Sequence, residues 1–279
     1  LPKNRKKENE RNERRREKTR QRPKRRRVLL GRSPLRSARL FDGIFVMHGF
    51  LSLLVQLILL RELLTLFYGN ELLIGALLGS WLLWTGLGSH LFRKTSPDVF
   101  LRLLIGLLFL VPLETLLIRL ARPLFGFGIT PGPIAMVLTT AAFLLPVGAI
   151  VGGLFSAGCA WQKEKLQQTD PPRLYFLESA GAIAGGLSYT FFLSGRLSHL
   201  VILALTGAAL GPMLAVLSAG LPNKKYFLAS LAAVLVFMTV CATPFVEKFS
   251  RRLQWKGYVW LETKDTRFSN LTVTRTGDL

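Results

Sequence analysis

The stretch FDGIFVMHGFLSLLVQLILLRELLTLF, Phe41 to Phe67, decides the fold. Between Asp42 and Arg61 it holds no carboxylate, lysine or arginine. About 20 such residues cross the hydrocarbon of a bilayer as one α-helix. A helix on the surface of a soluble domain keeps a polar face, and this run has none. It reads as a membrane span, and the chain repeats the pattern.

Half of the 279 residues are hydrophobic and the mean hydropathy is +0.35. Seven apolar runs follow one another: Phe41–Phe67, then about Glu71–Phe92, Val99–Leu120, Ile134–Trp161, Leu174–Leu193, His199–Leu221 and Tyr226–Phe245. Short polar turns such as YGNE, RKTSPD, SGRLS and PNKK separate them. The expected fold is all-α: a polytopic transmembrane bundle over residues 41–245 with about seven spans. The Gly/Pro-rich PLFGFGI after the third run also suits a re-entrant segment, which leaves the count open by one. Glycines three and four apart in GSWLLWTGLG, GAIVGG and GAIAGG predict close helix–helix packing.

The charge lies elsewhere. Residues 1–40 hold 18 Lys+Arg against 4 Glu, a net +14 of the chain's +21. Such a segment buries no apolar surface and reads as a disordered basic tail. Phosphate neutralisation on nucleic acid is one use for it. The span directly after it favours the other, a topogenic cytoplasmic extension that touches anionic lipid headgroups, with no specific nucleic acid. The charged region is too long for a signal peptide, and no small-residue cleavage site follows. Positive charge puts the N-terminus, RKTSPD, QKEKLQQTDPPR and PNKK on the cytoplasmic side. Seven spans would then leave the basic EKFSRRLQWKGY outside, and an even number would bring it in.

Polar residues inside apolar runs are the candidate site. Gln56, Arg61 and Glu62 fall in the first span, Glu114 in the third and Glu178 in the fifth. A charge at mid-bilayer costs about 2.5–3.5 kcal/mol on insertion scales, so it needs a partner or a function. Neighbours on a helix project about 100° apart, so Arg61 and Glu62 seek partners on other helices. Their depths suit an Arg61–Glu114 pair. Two readings stay open: a packing clamp with Arg61 and Arg119 snorkelling to the interface, or a pathway for a solute or cation. His48, His90 and His199 have no metal-ligand spacing, and Cys159 and Cys241 read as small buried hydrophobes. No hydrolase, P-loop or dinucleotide motif is present, so no catalytic residue, metal or cofactor is expected.

Residues 246–260 read as an amphipathic interfacial linker. Phe245, Phe249 and Leu253 share one face, basic residues fill the rest, and Trp255, Tyr258 and Trp260 sit at headgroup depth. In residues 261–279, Leu271 and Val273 alternate with Thr272 and Thr274, the pattern of a half-buried strand.

The run QLILLRELLTLFYGNEL, then YFLESAGAIAGGL, then the exit ETKDTRFSNLTVTR together resemble the N-terminal membrane domain of bacterial spermidine synthase-like proteins. The resemblance covers nearly all of residues 41–279. It implies a multi-pass protein of the bacterial inner membrane that anchors or assists a polyamine aminopropyltransferase domain, with polyamine as a partner. It also reads the C-terminal segment as the first strand of that domain, cut before its partner strand. The family moves an aminopropyl group from decarboxylated S-adenosylmethionine to putrescine, holding the nucleotide on a Gly-rich loop. After Phe245 the glycines here are Gly257 and Gly277, so that loop is missing and no catalytic residue carries over. A stand-alone small-solute or cation transporter and a purely structural anchor are the competing readings.

Overall fold

The computed structural model describes residues 34–125, 131–167, 170–221, 223–266 and 270–275. Of the tail expected over residues 1–40, residues 1–33 lie outside the described residues, as does the centre of the PLFGFGI segment.

Helix α1, Pro34–Leu66, begins earlier than Phe41, so residues 34–40 belong to the bundle and not to the tail. Its buried positions Phe41, Ile44, Phe45, His48, Leu51, Val55, Ile58, Glu62 and Leu66 recur at three and four residues. That spacing is one face of a helix, and it makes α1 the centre of the molecule.

Six further helices follow: α2 Leu72–Leu91, α3 Asp98–Ala121, α4 Pro133–Lys165, α5 Pro171–Ser188, α6 His199–Leu217 and α7 Lys224–Cys241. Phe41 packs on Phe100 at the start of α3 and stacks on Trp161 near the end of α4. At the other end of α1, Glu62 meets Arg119 near the end of α3 and His199 at the start of α6. The odd-numbered helices therefore run one way and the even-numbered ones return.

Two parallel pairs interlock through glycine. A Cβ on Gly181 of α5 would strike the Val46 carbonyl of α1, and one on Gly152 of α4 would strike the Thr85 carbonyl of α2. Only glycine lets backbones approach so closely, so here the small-residue patterns are contacts.

Among the described residues, six helices are long and apolar enough to cross a membrane: α1 to α4, α6 and α7. The protein is a multi-pass membrane protein. Of the about seven spans expected, α5 is the one that this measure leaves out. Pro171, Pro172, Arg173 and Glu178, all in its first half, dilute its hydropathy, while the glycines of GAIAGG seat it on α1. Even so α5 follows α1 through the bundle, from an Arg173–Asp42 ion pair at its start to Gly186 beside Leu53. Its other face, with Phe176, Ile183 and Leu187, is exposed and apolar. A single π-turn, Tyr189–Leu193, ends it.

Beyond α7 comes α8, Pro244–Gln254, capped by Thr243 with proline in its first turn. A two-stranded antiparallel hairpin closes the chain, β1 Val259–Asp265 and β2 Asn270–Arg275. Three expectations are corrected here. The alternating segment is the second strand, and its partner is already present in β1. The linker 246–260 stops being helical at Gln254, so Trp260 belongs to a strand. Leu271 and Val273 are each 57% exposed while the Thr272 side of the hairpin is the covered one. The covered face carries Thr263 and Thr272, bonded to each other, and Asp265, which meets Arg251, and that reverses the usual inward choice of apolar side chains.

Candidate functional site

Where α1, α3 and α6 meet α8 and the hairpin, the bundle holds a cluster of charges. Arg119 has no exposed surface and Glu62 is 1% exposed. Arg119 Nε lies 3.1 Å from both Glu62 oxygens, and Nη2 donates to Oε1 at 2.7 Å. Its Nη1 donates to Glu247 Oε2 and Ser250 Oγ, both at 2.9 Å. A guanidinium so placed has every edge answered, as a buried charge requires.

Glu62 has two further partners. His199 Nδ1 is 2.7 Å from Oε1, and its Nε2 is 3.3 Å from the Tyr189 hydroxyl. Arg251 Nη2 is 3.7 Å from the same oxygen. Arg251 also donates to Glu247 Oε1 at 3.0 Å and to Asp265 Oδ2 of β1 at 2.9 Å. Arg61 donates to Ser194 Oγ at 2.8 Å and to the Thr266 carbonyl at 2.7 Å. Arg122 stacks its guanidinium between Trp255 at 3.7 Å and Tyr68 at 4.5 Å and donates to the Thr65 carbonyl.

Helix α8 makes this possible by turning its polar stripe inward. Ser250, Arg251 and Gln254 are buried, while Phe245 is 75% exposed and stacks on Phe249. The end of the bundle offers Glu62 and Arg119, so the polar stripe is the complementary one.

Asp265 stands outside the spans. Burial alone would raise its carboxyl. His199 and Arg251 oppose that, Glu62 adds to it, and the Asn270 amide lowers it further through a 2.6 Å bond. The balance holds Asp265 below the usual aspartate range.

The five candidate residues do not converge. Arg61 and Glu62 are in the cluster, on different partners. The expected Arg61–Glu114 pair is absent: Glu114 is buried on α3 with neither carboxyl oxygen hydrogen-bonded. Arg119 does not snorkel, because Glu62 and Glu247 hold it inside. Gln56 is half-buried midway along α1. Glu178 sits far back along α1 and α5, where its Oε1 lies 3.3 Å from His48 Nε2. Sequence reasoning missed His199, Glu247, Arg251 and Asp265, from segments read as a span end, the linker and the C-terminal strand. The one signal for them was the polar stripe 247–250–251–254 opposite Phe245 and Phe249.

Three carboxylates, Glu62, Glu247 and Asp265, thus meet two guanidinium groups, Arg119 and Arg251, with His199 beside Glu62 and Arg61 bonded to Ser194 and Thr266 at the rim. A matched set like this resists separation of its elements. Compared with protein-family models, curated proteins and solved structures, the chain matches none.

Proposed function

We propose that this chain is a membrane anchor that holds an extramembrane module in fixed register with the bilayer. The observation that carries the reading is Arg251, which joins Glu62 of α1 to Asp265 of the hairpin through one buried guanidinium. Arg61 ties the turn of the hairpin to the bundle through the Thr266 carbonyl. Charges inside the span thereby fix the exit of the chain, which is the work of an anchor. Such a role agrees with the resemblance to spermidine synthase-like membrane domains, in which the segment after the last helix leads into an aminopropyltransferase. Domain by domain, the basic residues before α1 serve as a topogenic segment, α1 to α7 as the anchor, α8 as an interfacial joint and the hairpin as the start of the module.

Localisation follows from charge. With net +14 before the first span, the start of α1 faces the cytoplasm of a bacterial inner membrane and contacts anionic lipid there. Phe245 and Phe249, beside Lys248 and Arg252, lie in the opposite headgroup layer.

Hydrogen exchange on the purified protein in lipid nanodiscs tests the clamp. In Arg251→Gln, amides of β1 and β2 should exchange at least about tenfold faster while α1 and α3 stay protected. Unchanged hairpin protection would remove the anchor reading.

A further inference from the structure

The two interlocked pairs, α1 with α5 and α2 with α4, leave a crevice of about 370 Å³ between them. Ser52, Trp81, Thr85, Phe155, Tyr175 and Glu178 carry its chemistry. No lysine or arginine lines it. Among the described residues, the ion-pair partner of Glu178 is His48 alone, at 3.3 Å. His48 is fully buried, and neither ring nitrogen makes a hydrogen bond.

We propose that this crevice binds a singly charged organic ammonium, with Glu178 as its counter-ion. The inference does not depend on the anchor reading, since the crevice shares no residue with the hairpin clamp. His48 is the one basic side chain beside this carboxylate among the described residues, and with no guanidinium or lysine there Glu178 can take an ammonium as a further counter-charge. The ammonium supplies that charge. Trp81, Phe155 and Tyr175 present rings whose faces attract a cation and whose area suits an apolar substituent. The Ser52 and Thr85 hydroxyl oxygens can accept its N–H groups. The volume is at the small end of ligand sites, which run from about 300 Å³ upward, so it suits a single-ring amine.

One carboxylate balances one charge. A second ammonium would lie unpaired beside Leu82 and Val151, so the site disfavours diamines and longer polycations. Ligand class and charge number are both set by what the crevice contains.

The test is isothermal titration of the purified full chain with benzylammonium. Benzyl alcohol serves as the neutral probe of the same shape, and putrescine as the dication. Saturable benzylammonium binding is expected, with Glu178→Gln, benzyl alcohol and putrescine each at least about tenfold weaker. Tyr175→Leu, at an exposed ring, keeps the carboxylate and should weaken binding several-fold without loss of fold. Equal affinity for the alcohol would mean apolar partition only and overturn the proposal. So would no saturable binding, or unchanged affinity in Glu178→Gln. If Glu178→Gln does not fold, unchanged affinity in Tyr175→Leu overturns it.

Discussion

Arg119 has three acceptors, Glu62, Glu247 and Ser250, and no contact with solvent. Replacing it strips Glu62 of its closest cation and leaves only His199 and the more distant Arg251, and breaking a buried pair from one side costs about 3–5 kcal/mol. Arg119→Met should therefore lower the unfolding midpoint of the purified protein sharply. Arg61→Met, at a half-buried rim position, should cost less and loosen mainly the hairpin turn; equal losses would show that Arg119 is not the centre of the cluster. Asp265 gives the acid dependence. Its carboxyl is held below the range of about 3.9 that an unfolded aspartate shows. The stabilisation is therefore complete above that value and is lost as pH falls through the lower, folded one. Tryptophan fluorescence of the hairpin should hold to about pH 4 and change below it, whereas Asp265→Asn should weaken the hairpin at neutral pH and flatten that acid step. Glu62 and Arg61 were legible because charge in an apolar run is anomalous on its face. Their partners were not, since Arg119 and His199 lie 57 and 137 residues from Glu62 and no local pattern links them.

The glycines of α5 show what a sequence pattern says about an element and what it leaves out. GAIAGG announced a packing face, and Gly181 does meet the backbone of α1 at Val46. The prolines, Arg173 and Glu178 ahead of those glycines lower the hydropathy of α5, so its first turns obscure the passage through the bundle that its packing face serves. Gly181→Ala must push α5 off α1 and should cost about 1–3 kcal/mol. Gly79→Ala, where an added Cβ meets nothing within 4 Å, should be neutral or gain up to about 1 kcal/mol from helix propensity. Thermal unfolding of both variants checks the contrast, and equal shifts would mean that α1 and α5 are not in backbone contact. The hairpin failed the pattern for the opposite reason. Alternation of Leu271 and Val273 with threonines located a strand, but which face turns inward depends on what the bundle offers. Here it offers the Arg251 guanidinium to Asp265, which shares a face with Thr263, so the hydroxyl side is covered and the apolar side stays out.

At the scale of the whole molecule, helix direction decides on which side the hairpin emerges. Glu62 near the end of α1, Arg119 near the end of α3 and His199 at the start of α6 meet at one end, where α8 and the hairpin also lie. The start of α1 is at the other end, beside Trp161 and Arg173. The hairpin therefore faces away from the beginning of α1, and α5 must pass through the bundle for this to hold. Combined with the basic segment before α1, the positive-inside rule predicts a hairpin outside the cytoplasm. A transferase that draws on cytoplasmic substrates would require the reverse orientation, with the basic segment outside, against the charge rule. Reporter fusions at residue 2, within residues 162–173 and after Leu279 separate the cases. The first two should report cytoplasm and the third the opposite side. If all three report cytoplasm, α5 does not cross and the hydropathy count of six gives the true topology. If the first two report outside and the third inside, the helix directions stand, the charge rule fails for this chain, and the module sits where a cytoplasmic aminopropyltransferase would need it.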